Sequence, residues 1–295
     1  LGKSAPPAER SSINAPFRSV DFSDMPQLRR LEVSGTSPIA YRHYGPASAR
    51  EVVVALHGST GSSSSMHPMA RFLAQAGMML YVPDLRGHGA TGARGDVDYL
   101  GQPDDDLQAL VAFVRKEHPA TRLTLIGFSL GGGLALRAAS GSVGAMIDRT
   151  LLLAPAFGGQ APTMRRGGDD PWARPHVPRI LALSLLNRLG VHALDGLEAI
   201  IFAVPPGSES VQTGRYSYRL LRSLLPRDYA EALRKTSKPM KVIVAENDEL
   251  FDVKAFEPSV RPFRTDIPIV IVSGVDHIHL TIDPKALTVI VAQLR

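Results

Sequence analysis

The chain has 295 residues, of which 44% are hydrophobic and 21% charged, a composition typical of globular proteins with a large apolar core. Its formal net charge is +5, but the basic residues are spread along the chain and aromatic residues make up only 6%, which argues against a nucleic-acid binder. The complete lack of cysteine excludes disulfides, thiol catalysis and cysteine-ligated zinc.

The N-terminal 27 residues are predicted to form a flexible leader. Their opening stretch, LGKSAPPAERSSINAP, is polar and rich in Pro and Ser, as in segments that do not fold on their own. No run of about 18 apolar residues that could cross a bilayer occurs in the sequence. The sequence is compatible both with a cytoplasmic protein and with one exported after removal of a signal, and it leaves the oligomeric state open.

Short, nearly all-apolar runs predict a largely parallel sheet. Two β-like runs around SGTSP within residues 28–45 predict an opening hairpin. Further strands, buried on both faces, are predicted at 51–58, 78–84, 122–127, 149–155, 240–246 and 267–274. Helical patterns are found at 65–77, 103–119 and 283–294. Because strands and helices alternate, we predict an α/β fold.

One region interrupts this alternation. Residues 157 to about 236 are rich in Leu and Arg and show helical patterns without a convincing strand. We therefore predict a core made of residues 28–156 and 237–295, with residues 157–236 inserted as a helical cap over the carboxyl edge of the sheet. The ten arginines of this cap could meet an anionic head group or a membrane surface, or they could be solvated and paired.

The stretch LTLIGFSLGGGLAL, residues 123–136, places one hydroxyl among glycines between a predicted strand and a predicted helix. Gly127 and Gly131 flank Ser129 at two residues on each side, where a sharp turn would make larger side chains collide. Such a turn lifts the Ser hydroxyl to a helix N-terminus, where backbone N–H groups stabilise negative charge. A Gly-rich phosphate loop or an ordinary tight turn are the alternatives, but the flanking strand and helix favour a nucleophile.

A serine nucleophile needs a base, and the base needs an orienting carboxylate. The segment MKVIVAENDELFD supplies several acids after a late predicted strand. Asp248 lies two residues past the strand end, so we predict that it is the orienting acid. We expect Glu246, Glu249 and Asp252 to face water.

The predicted base follows the last strand, in IPIVIVSGVDHIHLT. His277 comes directly after the loop bend and is our candidate, whereas His279 is expected in the neighbouring wall. The two histidines could in principle bind a metal ion. No third ligand with suitable spacing stands near them, so we predict no metal site.

An oxyanion hole needs two convergent N–H donors. We predict that one donor is the backbone N–H of Leu130, the residue after the nucleophile. The other is predicted to be the backbone N–H of Ser59, in the loop LHGSTGSS that follows the first buried strand. A flexible Gly/Ser connection is the alternative interpretation of that loop.

Five motifs, ALHGSTGSS, YVPDLRGHGATGARGD, LIGFSLGG, VAENDELFD and GVDHIHL, together resemble the α/β-hydrolase superfamily, and within it the serine esterase and lysophospholipase-like (monoglyceride lipase-like) branch. The resemblance covers about residues 30–295 apart from the cap. It implies an α/β-hydrolase fold, with a mostly parallel central sheet flanked by helices, and a triad of Ser129, His277 and Asp248. It also implies structural roles for Arg86 and His88.

The residues and the resemblance together predict a serine hydrolase that cleaves carboxylic esters through an acyl-enzyme, without a metal or an organic cofactor. The apolar cap suggests a lipid-like small-molecule substrate, such as a monoacyl lipid or lysophospholipid, and transient contact with a membrane surface; a short-chain ester is the competing substrate. Three other functions stay open: a C–C bond hydrolase, a cofactor-free perhydrolase, and a non-catalytic binding module on the hydrolase fold.

Overall fold

The computed structural model describes Pro7 and residues 15–165, 172–205 and 212–295. Its strands are β1 (Arg29–Leu31), β2 (Ile39–Tyr44), β3 (Glu51–Leu56), β4 (Met79–Pro83), β5 (Arg122–Phe128), β6 (Arg149–Leu153), β7 (Ala173–Pro175), β8 (Glu198–Phe202), β9 (Arg215–Ser217), β10 (Met240–Ala245) and β11 (Ile269–Val272). Its α-helices are α1 (His67–Gln75), α2 (Gln102–Glu117), α3 (Leu130–Ala139), α4 (Val177–Arg188), α5 (Tyr218–Leu224), α6 (Tyr229–Lys235), α7 (Phe256–Val260) and α8 (Pro284–Leu294).

Eight strands form the central sheet, in the order β1-β2-β4-β3-β5-β6-β10-β11. The predicted hairpin is present as the antiparallel pair β1 and β2, and β2 is also antiparallel to β4. The remaining neighbours pair in parallel. Because parallel strands end at the same edge, the loops after β3, β5, β10 and β11 meet there.

Burial in the sheet follows strand position. Val52, Val53 and Val54 in the central strand β3 are fully buried, and because successive side chains point to opposite faces, both faces of the sheet are covered there. The prediction of two-sided burial was wrong for β11, where Ile271 is 53% exposed. β11 is the last strand of the sheet, so it has only one strand neighbour.

Two helices show the predicted terminal signals. The first turn of α2 carries Asp104 and Asp105, and its last turn carries Arg115 and Lys116, which complement the helix dipole at both ends. The Asp283 carboxylate caps α8 by accepting hydrogen bonds from the first backbone N–H groups of that helix. In the part of the chain that the structure describes, no helix combines the length and the apolar character needed to cross a membrane.

The segment between β6 and β10 contains helices α4, α5 and α6, as predicted, but also a small antiparallel sheet in the order β7-β8-β9. Our expectation that residues 157–236 hold no strand was therefore wrong. β7 and β9 have only three residues each, too few to show an alternating pattern. The five residues of β8, EAIIF, come after a Leu-rich helix, so their apolar residues were interpreted as part of the same helical pattern. Residues 166–171 and 206–211 of this segment lie outside the described residues.

Part of the predicted leader also packs against the fold. Residues 15–27, which we call the N-terminal strap, begin with a short 3-10 helix, Ala15–Ser19, and Phe17 packs against the core. The rest of the predicted leader, residues 1–6 and 8–14, lies outside the described residues. The predicted leader thus includes a segment, the strap, that packs against the core through an aromatic side chain.

Candidate active site

Ser129 lies between β5 and α3 with φ 54° and ψ −116°, backbone angles that side-chain-bearing residues rarely adopt. As predicted, the positions two residues before and two residues after Ser129 have no room for a side chain. A Cβ at Gly127 would lie 2.2 Å from the Gly131 carbonyl oxygen, and one at Gly131 would lie 2.4 Å from the His57 carbonyl oxygen. The turn therefore depends on both glycines.

The next two glycines of α3 let the helix approach the loop after β6. A Cβ at Gly132 would lie 2.8 Å from Pro155 Cα, and one at Gly133 would lie 2.3 Å from the Ala156 carbonyl oxygen. The close approach allows the Ala156 N–H to donate to the Ser129 carbonyl oxygen at 2.9 Å. The strained turn is thus held from the neighbouring loop as well as by its own glycines.

Asp248 and His277 form a buried pair. His277 Nδ1 lies 2.7 Å from Asp248 Oδ2, and the two side chains are 2% and 0% exposed. The other carboxylate oxygen of Asp248 accepts hydrogen bonds from the Leu250 and Phe251 N–H groups at 2.9 and 2.8 Å. A carboxylate only accepts, so Nδ1 carries the proton of the neutral imidazole and Nε2 is left as the basic nitrogen.

Ser129 and His277 line the same cavity. Between residues 15 and 295, the described part of the chain shows no hydrogen bond from the Ser129 hydroxyl to His277 Nε2; in unliganded sites such bonds are often long and tighten when substrate binds. The structure therefore brings together three predicted residues from separate loops: Asp248 follows Ser129 by 119 positions, and His277 follows Asp248 by 29.

Two aromatic rings hold the imidazole of His277. The Phe128 ring centroid lies 4.8 Å from it and the Phe251 centroid lies 5.3 Å from it. Contacts of this kind restrict ring orientation. The sequence analysis did not identify either residue, although each stands within three positions of a predicted site residue.

The loop after β10, which carries Asp248, and the loop after β11, which carries His277, are joined by further hydrogen bonds besides the one between these two side chains. Glu249 is half-buried, and its carboxylate accepts a hydrogen bond from the His277 backbone N–H at 3.1 Å. Glu246 is exposed but accepts from the Gly274 N–H at 2.9 Å. Our expectation that these acids face water was wrong for Glu249, because parallel strands β10 and β11 bring their following loops side by side, whereas Glu246 is exposed as expected. Asp252 is exposed, as expected.

The two predicted oxyanion donors are free to bind a ligand. Leu130 is the first residue of α3, where a helix N–H has no intrahelical partner. Across the described ranges, neither its N–H nor that of Ser59 donates a hydrogen bond to another residue. Ser59 lines the cavity beside Ser129, and its hydroxyl accepts a hydrogen bond from Trp172 Nε1 at 3.2 Å.

His57 fixes the start of the Ser59 loop. The Leu85 N–H donates to His57 Nε2 at 3.0 Å, so the proton of the ring is on Nδ1, which donates to the Gly58 carbonyl oxygen at 2.8 Å. Burial lowers the pKa of His57, which keeps the imidazole neutral at pH 7.

His88 and Tyr216 connect the same loop to the inserted segment. His88 Nδ1 donates to the Arg86 carbonyl oxygen at 3.2 Å, so Nε2 accepts from the Tyr216 hydroxyl at 2.7 Å. The Tyr216 oxygen in turn accepts from the Thr60 N–H at 2.8 Å. Burial lowers the pKa of His88 to about 3 and raises the pKa of Tyr216. Both His88 and Tyr216 are therefore neutral at pH 7. Arg86, whose carbonyl oxygen accepts from His88, forms an ion pair with Asp106 through two 2.7 Å contacts.

The cavity above Ser129 has a volume of about 480 Å³. Its apolar lining comes from Phe17, Phe22, Phe128, Trp172, Leu250 and Ile278. Its hydroxyl and amide lining comes from Ser59, Thr60, Ser62, Ser64, Ser65 and Gln212. The cavity is thus formed by the core, the inserted segment and the N-terminal strap together, and it offers both apolar and polar surface to a ligand.

Among the described residues, no group of three His, Cys, Asp or Glu side chains is arranged to hold a metal ion. The second histidine of the HxH pair, His279, is 40% exposed, and its Nδ1 lies 2.7 Å from Asp276 Oδ1. It is thus engaged with a surface carboxylate beside the site.

Comparison with known proteins places the chain among hydrolases. The model of the Hydrolase_4 family, described as serine aminopeptidase, S33, matches residues 47–277. A monoacylglycerol lipase of Mycolicibacterium smegmatis is 34% identical over 86 residues, which cover 29% of this chain and 31% of that protein. The match therefore spans about a third of the length of that relative.

Solved structures agree on the fold. A soluble variant of monoglyceride lipase from Saccharomyces cerevisiae, in complex with a substrate analogue, superposes with a TM-score of 0.65 at 18% identity, covering 93% of this chain and 96% of that one. A monoacylglycerol lipase of Paleococcus ferrophilus gives 0.65 at 17% identity, with 87% and 98% covered. At these identities the likeness establishes the fold, and the predicted α/β-hydrolase fold is confirmed.

Proposed function

The chain belongs to the Hydrolase_4 (serine aminopeptidase, S33) family, and from this we propose that it hydrolyses carboxylic esters with Ser129 as nucleophile, His277 as base and Asp248 as orienting acid. One observation carries the proposal. The buried 2.7 Å contact between His277 and Asp248 lies beside the cavity into which the strained turn presents Ser129.

In the proposed reaction, His277 Nε2 takes the proton of Ser129 as Oγ attacks the ester carbonyl. The N–H groups of Leu130 and Ser59 stabilise the oxyanion; each such donor is worth about 10²–10³ in kcat. His277 then protonates the departing alcohol, and with water as nucleophile it acts as base again to release the acid. Asp248 holds the imidazole tautomer and stabilises its protonated form throughout.

We propose a monoacyl lipid or a lysophospholipid as the substrate. The cavity of about 480 Å³ offers aromatic and aliphatic side chains for an acyl chain, and serine hydroxyls for a polar head. The relatives named as monoacylglycerol lipases support this class of substrate. A short-chain ester would leave most of the aromatic surface uncovered.

We also propose that residues 157–236 act as a cap that touches a membrane surface transiently. Val177, Leu181 and Leu185 recur every four residues on α4 and are 52%, 64% and 59% exposed, and Leu189, directly after the helix, is 71% exposed. Residues 177–194 contain no acidic residue. An exposed apolar stripe within a cationic segment suits the headgroup region of an anionic bilayer.

Labelling with a fluorophosphonate probe, together with a series of p-nitrophenyl esters of increasing acyl length, tests the proposal. We expect the unmodified protein to label and to prefer medium or long chains, and Ser129→Ala to lose labelling and about 10⁴-fold or more of its activity. Ser142→Ala, at an exposed serine, is the matched control and should behave like the parent.

The same experiment separates the competing functions. Equal labelling of the parent and Ser129→Ala would refute the assignment of the nucleophile, and no labelling of either would favour a binding module. Labelling without ester turnover would favour a C–C bond hydrolase, a perhydrolase or cleavage of peptide amides. A sharp preference for acyl chains of two to four carbons would refute the lipid substrate.

A further inference from the structure

We propose that the N-terminal strap is a wall of the substrate site and that Arg18 selects esters carrying an anionic group. The inference rests on the proposed ester hydrolase function and specifies its substrate. Three observations support it: how the strap is attached, which charges line the cavity, and where the arginines of the inserted segment lie.

The strap is attached to the core by polar and aromatic contacts. Asp24 Oδ1 lies 3.1 Å from both His67 Nε2 and Arg71 Nη1, and the Phe22 ring centroid lies 5.7 Å from the ring centroid of His67. The Arg42 side chain donates to a backbone carbonyl of the strap. His67 is itself fully buried at the start of α1. These contacts hold the strap in one place, so its side chains form a defined surface of the cavity.

Phe17, Arg18 and Phe22 all line the cavity that contains Ser129 and His277. Arg18 is the one Lys or Arg, and no Asp or Glu is present, among the described residues of this lining. Arg18 is exposed, and between residues 15 and 295 the described chain offers it no ion pair. A guanidinium that finds no carboxylate partner among the described residues, at the rim of a cavity whose described lining holds no Asp or Glu, attracts an anion.

The arginines of the inserted segment that the structure describes do not supply this charge. Arg215 pairs with Glu198 and Arg219 pairs with Asp96. None of the inserted arginines that the structure describes lines the cavity. The sequence left open whether these arginines meet an anionic head group or are solvated and paired; two of them are paired, and among the described residues the strap provides the cation at the cavity.

Carboxylate and phosphate match the planar, bidentate geometry of a guanidinium. We therefore infer an ester with a carboxylate or phosphate at one end, carried either on the acyl chain or on the alcohol. Serine hydroxyls of the loop after β3 line the same cavity and can donate further hydrogen bonds to the anion. The aromatic residues of the strap would contact the apolar part of the same molecule.

The test compares anionic and neutral substrates of matched length in two arms. The first arm pairs mono-p-nitrophenyl adipate with p-nitrophenyl hexanoate, which differ in charge on the acyl side. The second pairs a lysophosphatidate with the monoacylglycerol of the same acyl chain, which differ in charge on the alcohol side. The full chain is used, with the variants Arg18→Gln, Arg18→Lys and Arg18→Glu. Arg30→Gln, at an exposed arginine outside the cavity, is the control.

We expect Arg18→Gln to lower the ratio of kcat/KM for the anionic to the neutral substrate by about tenfold in one arm, the effect of losing one charge-assisted hydrogen bond. The responding arm identifies the side of the ester that carries the anion. Arg18→Lys should retain part of the ratio, because it keeps the charge but not the bidentate geometry. Arg18→Glu should lower the ratio further and improve turnover of a cationic choline ester. High salt should reduce the preference of the parent protein.

An unchanged ratio for Arg18→Gln and Arg18→Glu in both arms, with Ser129-dependent hydrolysis intact, would overturn the inference and leave the proposed function standing. An equal change for Arg30→Gln would also overturn it, because the effect would then come from net charge. Failure of the proposed function looks different: the parent and Ser129→Ala would hydrolyse all four substrates equally slowly, and the inference would fall with it. Thermal unfolding of each variant checks that the fold is kept.

Discussion

The two sides of the cavity are built in different ways. On the nucleophile side, backbone groups lie so close that a single added carbon at Gly127 or Gly131 would come within 2.4 Å of a carbonyl oxygen, and Asp248 and His277 are buried. On the opposite side, Arg18 is exposed and Trp172 is half-buried. One side admits a single geometry, whereas the other can change its side chains without disturbing the sheet. In the proposed function, chemistry and specificity are therefore divided between them.

Backbone and side-chain hydrogen bonds join the inserted segment to the loop that carries Ser59. The Thr213 N–H donates to the Thr60 carbonyl oxygen at 2.9 Å, and the Thr60 N–H donates to the Tyr216 hydroxyl at 2.8 Å. Thr60 itself has a positive φ of 63°. These two hydrogen bonds are thus made at a strained residue one position from the predicted oxyanion donor, and the bond from Trp172 Nε1 to the Ser59 hydroxyl is a third contact between the same segments.

The largest effect is expected from Gly131→Ala, which should disrupt the nucleophile side. The new Cβ would lie 2.4 Å from the His57 carbonyl oxygen, and overpacking of this kind costs about 1–3 kcal/mol of unfolding free energy or more. Urea unfolding and fluorophosphonate labelling measure the two consequences. Gly141→Ala is the matched control, since its nearest neighbour would be 3.7 Å from the new Cβ. A Gly131→Ala protein with normal stability and normal labelling would show that the turn is not sterically fixed.

A smaller effect is expected at Glu249, which we regard as a positioning residue for His277. Glu249→Ala removes the acceptor of the His277 N–H and should lower kcat by about tenfold with little change in KM, because misplacing a base slows the chemical step. Glu249→Gln should retain most activity, because its amide oxygen still accepts. Glu257→Ala, at an exposed ion pair, should have almost no effect. Equal losses in Glu249→Ala and Glu249→Gln would argue against the positioning role.

The smallest effect is expected on the cap. Leu185→Gln should weaken binding to vesicles of anionic phospholipid by about three- to fivefold, since one partly inserted side chain is lost, while hydrolysis of a dissolved ester stays unchanged. Ile271→Gln, which replaces a 53% exposed side chain on β11, is the control. Vesicle sedimentation measures binding. The alternative is that a second copy of this chain covers the exposed side chains of α4, which sedimentation velocity would detect as a dimer. A dimer of the parent protein that Leu185→Gln dissociates would refute the membrane contact.

Much of this molecule could be predicted from local sequence. Central strands such as β3 and β5 are continuous apolar runs, because a parallel sheet with both faces covered leaves no polar position. The nucleophile turn was visible because only glycine avoids the collisions around Ser129. Asp248 and His277 were predicted from their positions directly after strands, because such a position can be read from the sequence alone. Strands β7 and β9 were missed because three residues carry no periodicity.

By itself, the sequence determined the α/β alternation and the residues around the turn at Ser129, because periodic burial and steric exclusion act between residues close in the chain. Only the tertiary structure decided which distant groups share the cavity. Glu249 reaches the backbone of His277 because two parallel strands end side by side, and Arg18 reaches the site because Asp24 and Phe22 attach the strap to His67. Such contacts depend on packing between segments, and no local pattern of residue types encodes them.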